Sequence, residues 1–105
     1  ERCRYWVAER DDRIVGQAMV TIEWSDWRNG EQWWLQSVWV EPEARRTGVF
    51  RSLYEHIRTT ARAAGAIGLR LYVHRENTEA SAAYARIGMT RTAYRIDEHP
   101  IGRHA

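Results

Sequence analysis

Arg45, Arg46 and Gly48 stand between an apolar run ending at Val40 and an amphipathic stretch beginning at Val49. This order of residue types suits the binding of an anion. A helix N-terminus leaves its first N–H groups without partners inside the helix and carries roughly half a positive charge. Gly48 has no Cβ, so an oxyanion can approach the main chain, while two guanidinium groups add permanent charge and paired donors. A pyrophosphate fits such a cradle better than one carboxylate. The same three residues also fit a plain solvated start to a basic helix, so the motif does not decide alone.

A second segment carries chemistry of a different kind. The residues from Asn77 to Met89 read as a short helix, capped at its start by Asn77 or Thr78 and ended by Gly88. Ala80, Ala83, Tyr84 and Ile87 fall on one face, where two alanines permit close approach of another body. Tyr84 is then either the large packing residue of that face or a phenol presented to a ligand.

The two segments together, Val-x-Val-x-Pro-x-x-Arg-Arg-x-Gly-Val over 38–49 and Asn-x-x-Ala-x-x-x-Tyr-x-x-x-Gly-Met over 77–89, resemble the GNAT superfamily of acyl-CoA-dependent N-acyltransferases. The likeness extends over essentially the whole chain. The run from Glu23 to Gly30, followed by Trp33 to Val38, resembles a bacterial subgroup of that superfamily whose substrate is undefined. Phe50 departs from the small residue usual at its place, although its backbone N–H can still serve a phosphate.

The resemblance implies acetyl-CoA as co-substrate. It assigns Val38, Trp39 and Val40 to the donor through the main chain, Arg45, Arg46, Thr47, Gly48, Val49 and Phe50 to the pyrophosphate, and Asn77 to the pantetheine arm. Tyr84 becomes the group facing the CoA sulfur, both as contact and as general acid. An ordinary tyrosine holds its proton more tightly than an ordinary thiol by about 2 kcal/mol, so stabilisation of the thiolate by a hydrogen bond precedes any full transfer. The resemblance also implies a single domain over 1–105, of which the N-terminal third, one strand and two helices, is missing.

Acyl transfer to an amine needs a neutral amine, and at pH 7 only roughly a few molecules per ten thousand of a primary alkylamine are neutral. Something must accept a proton. His74, Glu23, Asp26 and Glu31 are the candidates. The position where the family often carries a carboxylate holds Trp34, so that role is not carried over.

Composition narrows the partners. All 16 basic residues are Arg, set against 14 Asp and Glu, for a net charge of +2. The arginines are scattered, which argues against nucleic acid. The lone Cys3 forms no internal disulfide, no His and Cys cluster at metal-ligand spacing is present, and no apolar run is long enough for a membrane helix. The expectation is a cytoplasmic protein acting on a small-molecule or peptide amine, with a homodimer as an option. An acyl-CoA-binding or interaction domain without catalysis is the alternative.

These residues need a scaffold. Alternation predicts strands over Arg4–Glu9, Arg13–Trp24 and Gln32–Val40, with a turn at Asp11-Asp12 and a hairpin centred on Asn29-Gly30. A helix follows from about Gly48 to Ala64 with an apolar stripe of Phe50, Leu53, Tyr54, Ile57, Ala61 and Ala64, stopped by Gly65. Then come a strand over Leu69–His74, the Asn77 helix, and a last strand over Thr90–Glu98. The expected class is mixed α/β (α+β), a mostly antiparallel central sheet with flanking helices, arranged as in the acyl-CoA N-acyltransferase (GNAT) fold. In that fold two parallel strands splay apart to admit the donor. Of the six Trp, five crowd the central hairpin, too many for one core layer. They either pair across strands or line an acceptor wall suited to an apolar or cationic amine.

Overall fold

A computed structural model describes residues 2–102. The chain falls into two compact units, Glu1–His74 and Arg75–Ala105. The first contains β1 (Cys3–Arg10), β2 (Arg13–Ser25), β3 (Gly30–Val40), a 3-10 turn at Pro42–Ala44, α1 (Val49–Ala63) and β4 (Gly68–Leu71). The second contains α2 (Thr78–Arg86).

The sheet runs in the order β1-β2-β3-β4, antiparallel except for the parallel pair β3 and β4. Asp11 and Asp12 both take positive φ, 53° and 61°, and close the β1–β2 hairpin as a two-residue turn between Arg10 and Arg13. That handedness matches the twist of the flanking strands. The β2–β3 connection is longer than its Asn-Gly signal predicts. Ser25 already pairs with Gly30, so the loop covers 26–29, and Asn29 is its last residue at φ 53°.

Side-chain alternation puts Ala18, Val20 and Ile22 of β2, with Trp33 and Leu35 of β3, on the face covered by α1. There they meet Ile57 and Ala61. Val15, Ala44, Val49 and Leu53 form a second cluster at the N-terminal end of the same helix. The stripe of α1 is therefore Val49, Leu53, Tyr54, Ile57 and Ala61. Phe50 lies at its margin and Ala64 is exposed. Trp33 is 0% exposed whereas Trp27 is 91% exposed, which divides the aromatic hairpin between core and surface.

One irregularity governs the lower half of the sheet. A single step on β2, from Val20 to Met19, spans Leu35 to Ser37 on β3, so Gln36 is an extra, bulged residue. The parallel pairing of β3 with β4 ends at Leu35 and Leu71, while β3 continues to Val40. This corrects the predicted strand over Leu69–His74: Gly68–Leu71 is strand and 72–74 is not. Beyond Leu35 and Leu71 the two strands no longer pair, so 72–74 are without a strand partner there.

The predicted last strand over Thr90–Glu98 is absent as well, those residues being irregular. Among the described residues their own unit contains no strand that could complete a ladder. Thr92 instead bonds locally, its hydroxyl donating to the Tyr94 carbonyl at 3.2 Å and accepting from the Tyr94 N–H at 3.3 Å.

Candidate functional site

The loop joining β3 to α1 is tightly specified. Pro42 opens the 3-10 turn, in which the Ala44 N–H donates to the Glu41 carbonyl at 2.8 Å. Arg46 (φ 65°) and Gly48 (φ 90°) both take left-handed backbone, and Gly48 is the N-cap of α1. The Ser52 N–H donates to the Gly48 carbonyl at 2.9 Å. The amides of the preceding turn thus point out of the helix end, along the positive end of its dipole. A Cβ built on Gly48 would meet nothing within 4 Å, so this approach to the main chain is open.

Side chains brace the loop from both flanks. Arg45 Nε donates to the Val40 carbonyl at 3.1 Å, which folds that guanidinium back along the end of β3. The Thr47 hydroxyl donates to the Ala44 carbonyl and accepts from Arg10 Nη1 at 3.1 Å. Arg13 at the same hairpin end pairs with Glu41 at 3.0 Å. Arg10 therefore joins Arg45 and Arg46 around the loop. Nothing in the sequence pointed to it, since it lies on another strand and reaches the loop only through the Asp11-Asp12 turn.

The height of α1 over the sheet is set at Gly16. A Cβ there would lie 2.8 Å from Val49 Cγ1 and 3.2 Å from Leu53 Cδ1. The bare backbone lets the first turn of α1 settle on β2 and fixes where its amides emerge. Tyr54 is buried in the same helix, and burial pushes its phenol above the ordinary value of 10.0, opposed by Arg58 and reinforced by Glu55.

On the opposite face of the sheet lies an open depression of about 230 Å³ lined by Thr21, Glu23, Trp34, Gln36 and Tyr72. Trp34 Nε1 donates to Glu23 Oε1 at 2.7 Å, and the Trp34 ring stacks on Tyr72 with centroids 4.6 Å apart and planes at 14°. Gln36 Nε2 donates to the Thr21 hydroxyl at 3.0 Å. Glu23 is one of the candidate proton acceptors in the sequence, and Trp34 stands where the family often carries a carboxylate. Nothing in the sequence singles out Tyr72.

The predicted donor contacts from Val38 to Phe50 follow one another along β3, the loop and the first turn of α1. Asn77 and Tyr84 belong to the second unit and share α2. Asn77, and not Thr78, is the N-cap, its Oδ1 accepting from the Ala80 N–H at 3.1 Å. The helix ends with the Met89 N–H on the Tyr84 carbonyl at 3.1 Å and the Gly88 N–H on the Ala85 carbonyl at 3.1 Å, with Gly88 at φ 102°. This is the Schellman arrangement, and it fixes the last turn, which carries Tyr84.

The acetyltransferase (GNAT) family model matches residues 1–89. A possible acetyltransferase from Clostridium difficile 630 is 39% identical, with 97% of this chain and 68% of that one covered at a TM-score of 0.88. A probable acetyltransferase is 26% identical, covering 96% of this chain and 69% of its own at 0.87. An aminoglycoside acetyltransferase from an uncultured soil metagenomic sample, 13% identical with 97% and 67% covered at 0.85, shares the fold. No curated protein matches the chain. The chain belongs to the GNAT acetyltransferase family, and its mixed, mostly antiparallel sheet with helices is the fold of that family.

Proposed function

We propose that this chain is an N-acetyltransferase that passes an acetyl group from acetyl-CoA directly to a primary amine of a small molecule or peptide. The observation that carries the reading is the braced loop at the start of α1. Gly48 at φ 90° opens the helix end, with Arg10, Arg45, Arg46 and Thr47 around it. Arg45 through Phe50 would receive the pyrophosphate. The edge of β3 beyond Leu35, left by β4, would pair through Val38, Trp39 and Val40 with the amides of the pantetheine arm. Asn77, whose oxygen is committed to its helix, would contribute its amide nitrogen.

In the transfer step the amine nitrogen bonds to the thioester carbonyl carbon, the nitrogen gives up a proton, and the carbon–sulfur bond breaks as the carbonyl reforms. Tyr84 donates a hydrogen bond, and ultimately the proton, to the departing sulfur. A backbone N–H of β3 near Val40 polarises the carbonyl oxygen. No covalent enzyme intermediate is required. The likeness to a soil aminoglycoside acetyltransferase, one form of which is in complex with sisomicin, supports a small-molecule amine as acceptor.

Calorimetric titration of acetyl-CoA, with dephospho-CoA and desulfo-CoA for comparison, tests the reading. Binding that is lost in Gly48→Glu supports it. A folded protein that binds no acetyl-CoA would overturn it.

A further inference from the structure

We propose that the depression lined by Thr21, Glu23, Trp34, Gln36 and Tyr72 is the acceptor subsite, and that it selects a primary ammonium on a flat or apolar body while rejecting amines that carry a carboxylate beside it. This rests on the acyltransferase reading above and adds the substrate class.

The charge of the lining comes first. Glu23 is its one ionisable carboxylate, and among the described residues no Arg or His lies within ion-pair distance of it. Its Oε1 is held by the Trp34 indole, which aims the carboxylate and leaves Oε2 for a ligand. Gln36 is oriented in the same way. Its amide nitrogen is spent on Thr21, so its carbonyl oxygen is the end presented outward. Two oriented acceptors, one of them charged, match an ammonium group that has only donors to offer.

The apolar half of the depression is the Trp34–Tyr72 stack, with Tyr72 58% exposed. The Trp34 ring already carries Tyr72 stacked at 4.6 Å and the Arg70 guanidinium at 5.8 Å, so the ligand's flat or apolar body is left to the exposed Tyr72 ring and its ammonium to Glu23. A volume of about 230 Å³ holds a ring or a short chain, below the range of roughly 300–1,000 Å³ usual for pockets that enclose a whole ligand. The acceptor therefore enters by its amine-bearing end and leaves the remainder in solvent. Gln36 is also the bulged residue beside Leu35, the last position at which β3 and β4 pair, so the depression opens next to the gap assigned to the thioester.

The test uses three probes of one shape: phenethylamine, its uncharged analogue 2-phenylethanol, and phenylalanine, which adds a carboxylate. Dissociation constants are measured by ligand-observed NMR without acetyl-CoA, for the wild type and Glu23→Gln, with thermal melts confirming the fold. Phenethylamine should bind about tenfold more tightly than either analogue, the size of one charge-assisted hydrogen bond. Glu23→Gln should remove most of that preference, and Trp34→Phe, which keeps a ring but frees the carboxylate, should reduce it. Absence of amine preference in the wild type, or a preference undiminished in Glu23→Gln, would overturn the proposal. Because no donor is present, failure of acetyl-CoA to bind would count against the acyltransferase reading alone.

Discussion

Arg10 Nη1 donates to the Thr47 hydroxyl at 3.1 Å, joining the tip of the β1–β2 hairpin to the loop that precedes α1. A third guanidinium is thereby held beside a loop whose nearby sequence shows only two. If the loop holds a polyanion, Arg10→Ala should weaken acetyl-CoA binding by about two- to fivefold, the scale of one solvent-exposed charged contact. It should also flatten the dependence of that binding on salt. Titrations at two ionic strengths would check both effects, and unchanged affinity at low salt would remove Arg10 from the cradle.

Gly48 and Gly16 are needed for different reasons, and alanine at each separates them. Gly48→Ala meets no neighbour, so its cost is that of holding an L-residue at φ 90°, about 1–2 kcal/mol. Gly16→Ala pushes a methyl against Val49 and Leu53 and should cost about 1–3 kcal/mol through overpacking. Denaturant melts give both values. Only the Gly16 substitution should be partly rescued by Val49→Ala, which removes the nearest obstructing methyl.

Tyr84→Phe should keep acetyl-CoA affinity within about twofold while lowering kcat by about 10²- to 10⁴-fold, the range of a lost general acid. Calorimetry for the first quantity and steady-state rates for the second decide the matter. Equal losses in affinity and turnover would assign Tyr84 to packing.

Tyr54 supplies a prediction about alkaline stability. Burial raises its folded-state value above 10.0, so the folded protein holds this proton more tightly than the unfolded chain. The stabilisation is complete below 10.0 and declines as pH rises from there through the higher folded value. Melting temperatures measured on either side of that window should fall with pH in the wild type, and fall less steeply in Tyr54→Phe.

Features fixed by neighbouring residues were readable from the chain. Asp11-Asp12 specifies its hairpin, Gly48 and Gly65 bound α1, and the spacing of Leu53, Ile57 and Ala61 names its buried face. The order Arg45, Arg46, Gly48, from which the proposed cradle is read, is local in the same way. Contacts between distant strands left no such trace. Arg10 on Thr47, Trp34 on Glu23 and Trp34 on Tyr72 depend on register, which pairing sets and local composition does not. The strand expected at Thr90–Glu98 shows the converse error: alternation was present, but it is a necessary condition and not a sufficient one, and among the described residues that segment is irregular.

The extra residue at Gln36 works as a phase shift. Trp33 and Leu35 face the core at odd positions, and after the bulge Val38 and Val40 face it at even ones. Without that slip the strand would carry Trp39 inward beneath α1 and turn Val38 out. Two successive residues, Gln36 and Ser37, both face outward as a result, and the count there matters in one direction only. Deleting Gln36 would leave Leu35, Ser37 and Val38 in plain alternation with the same faces inward, and would remove only the outward step, whereas inserting one more residue into the regular ladder beyond it would exchange inside for outside.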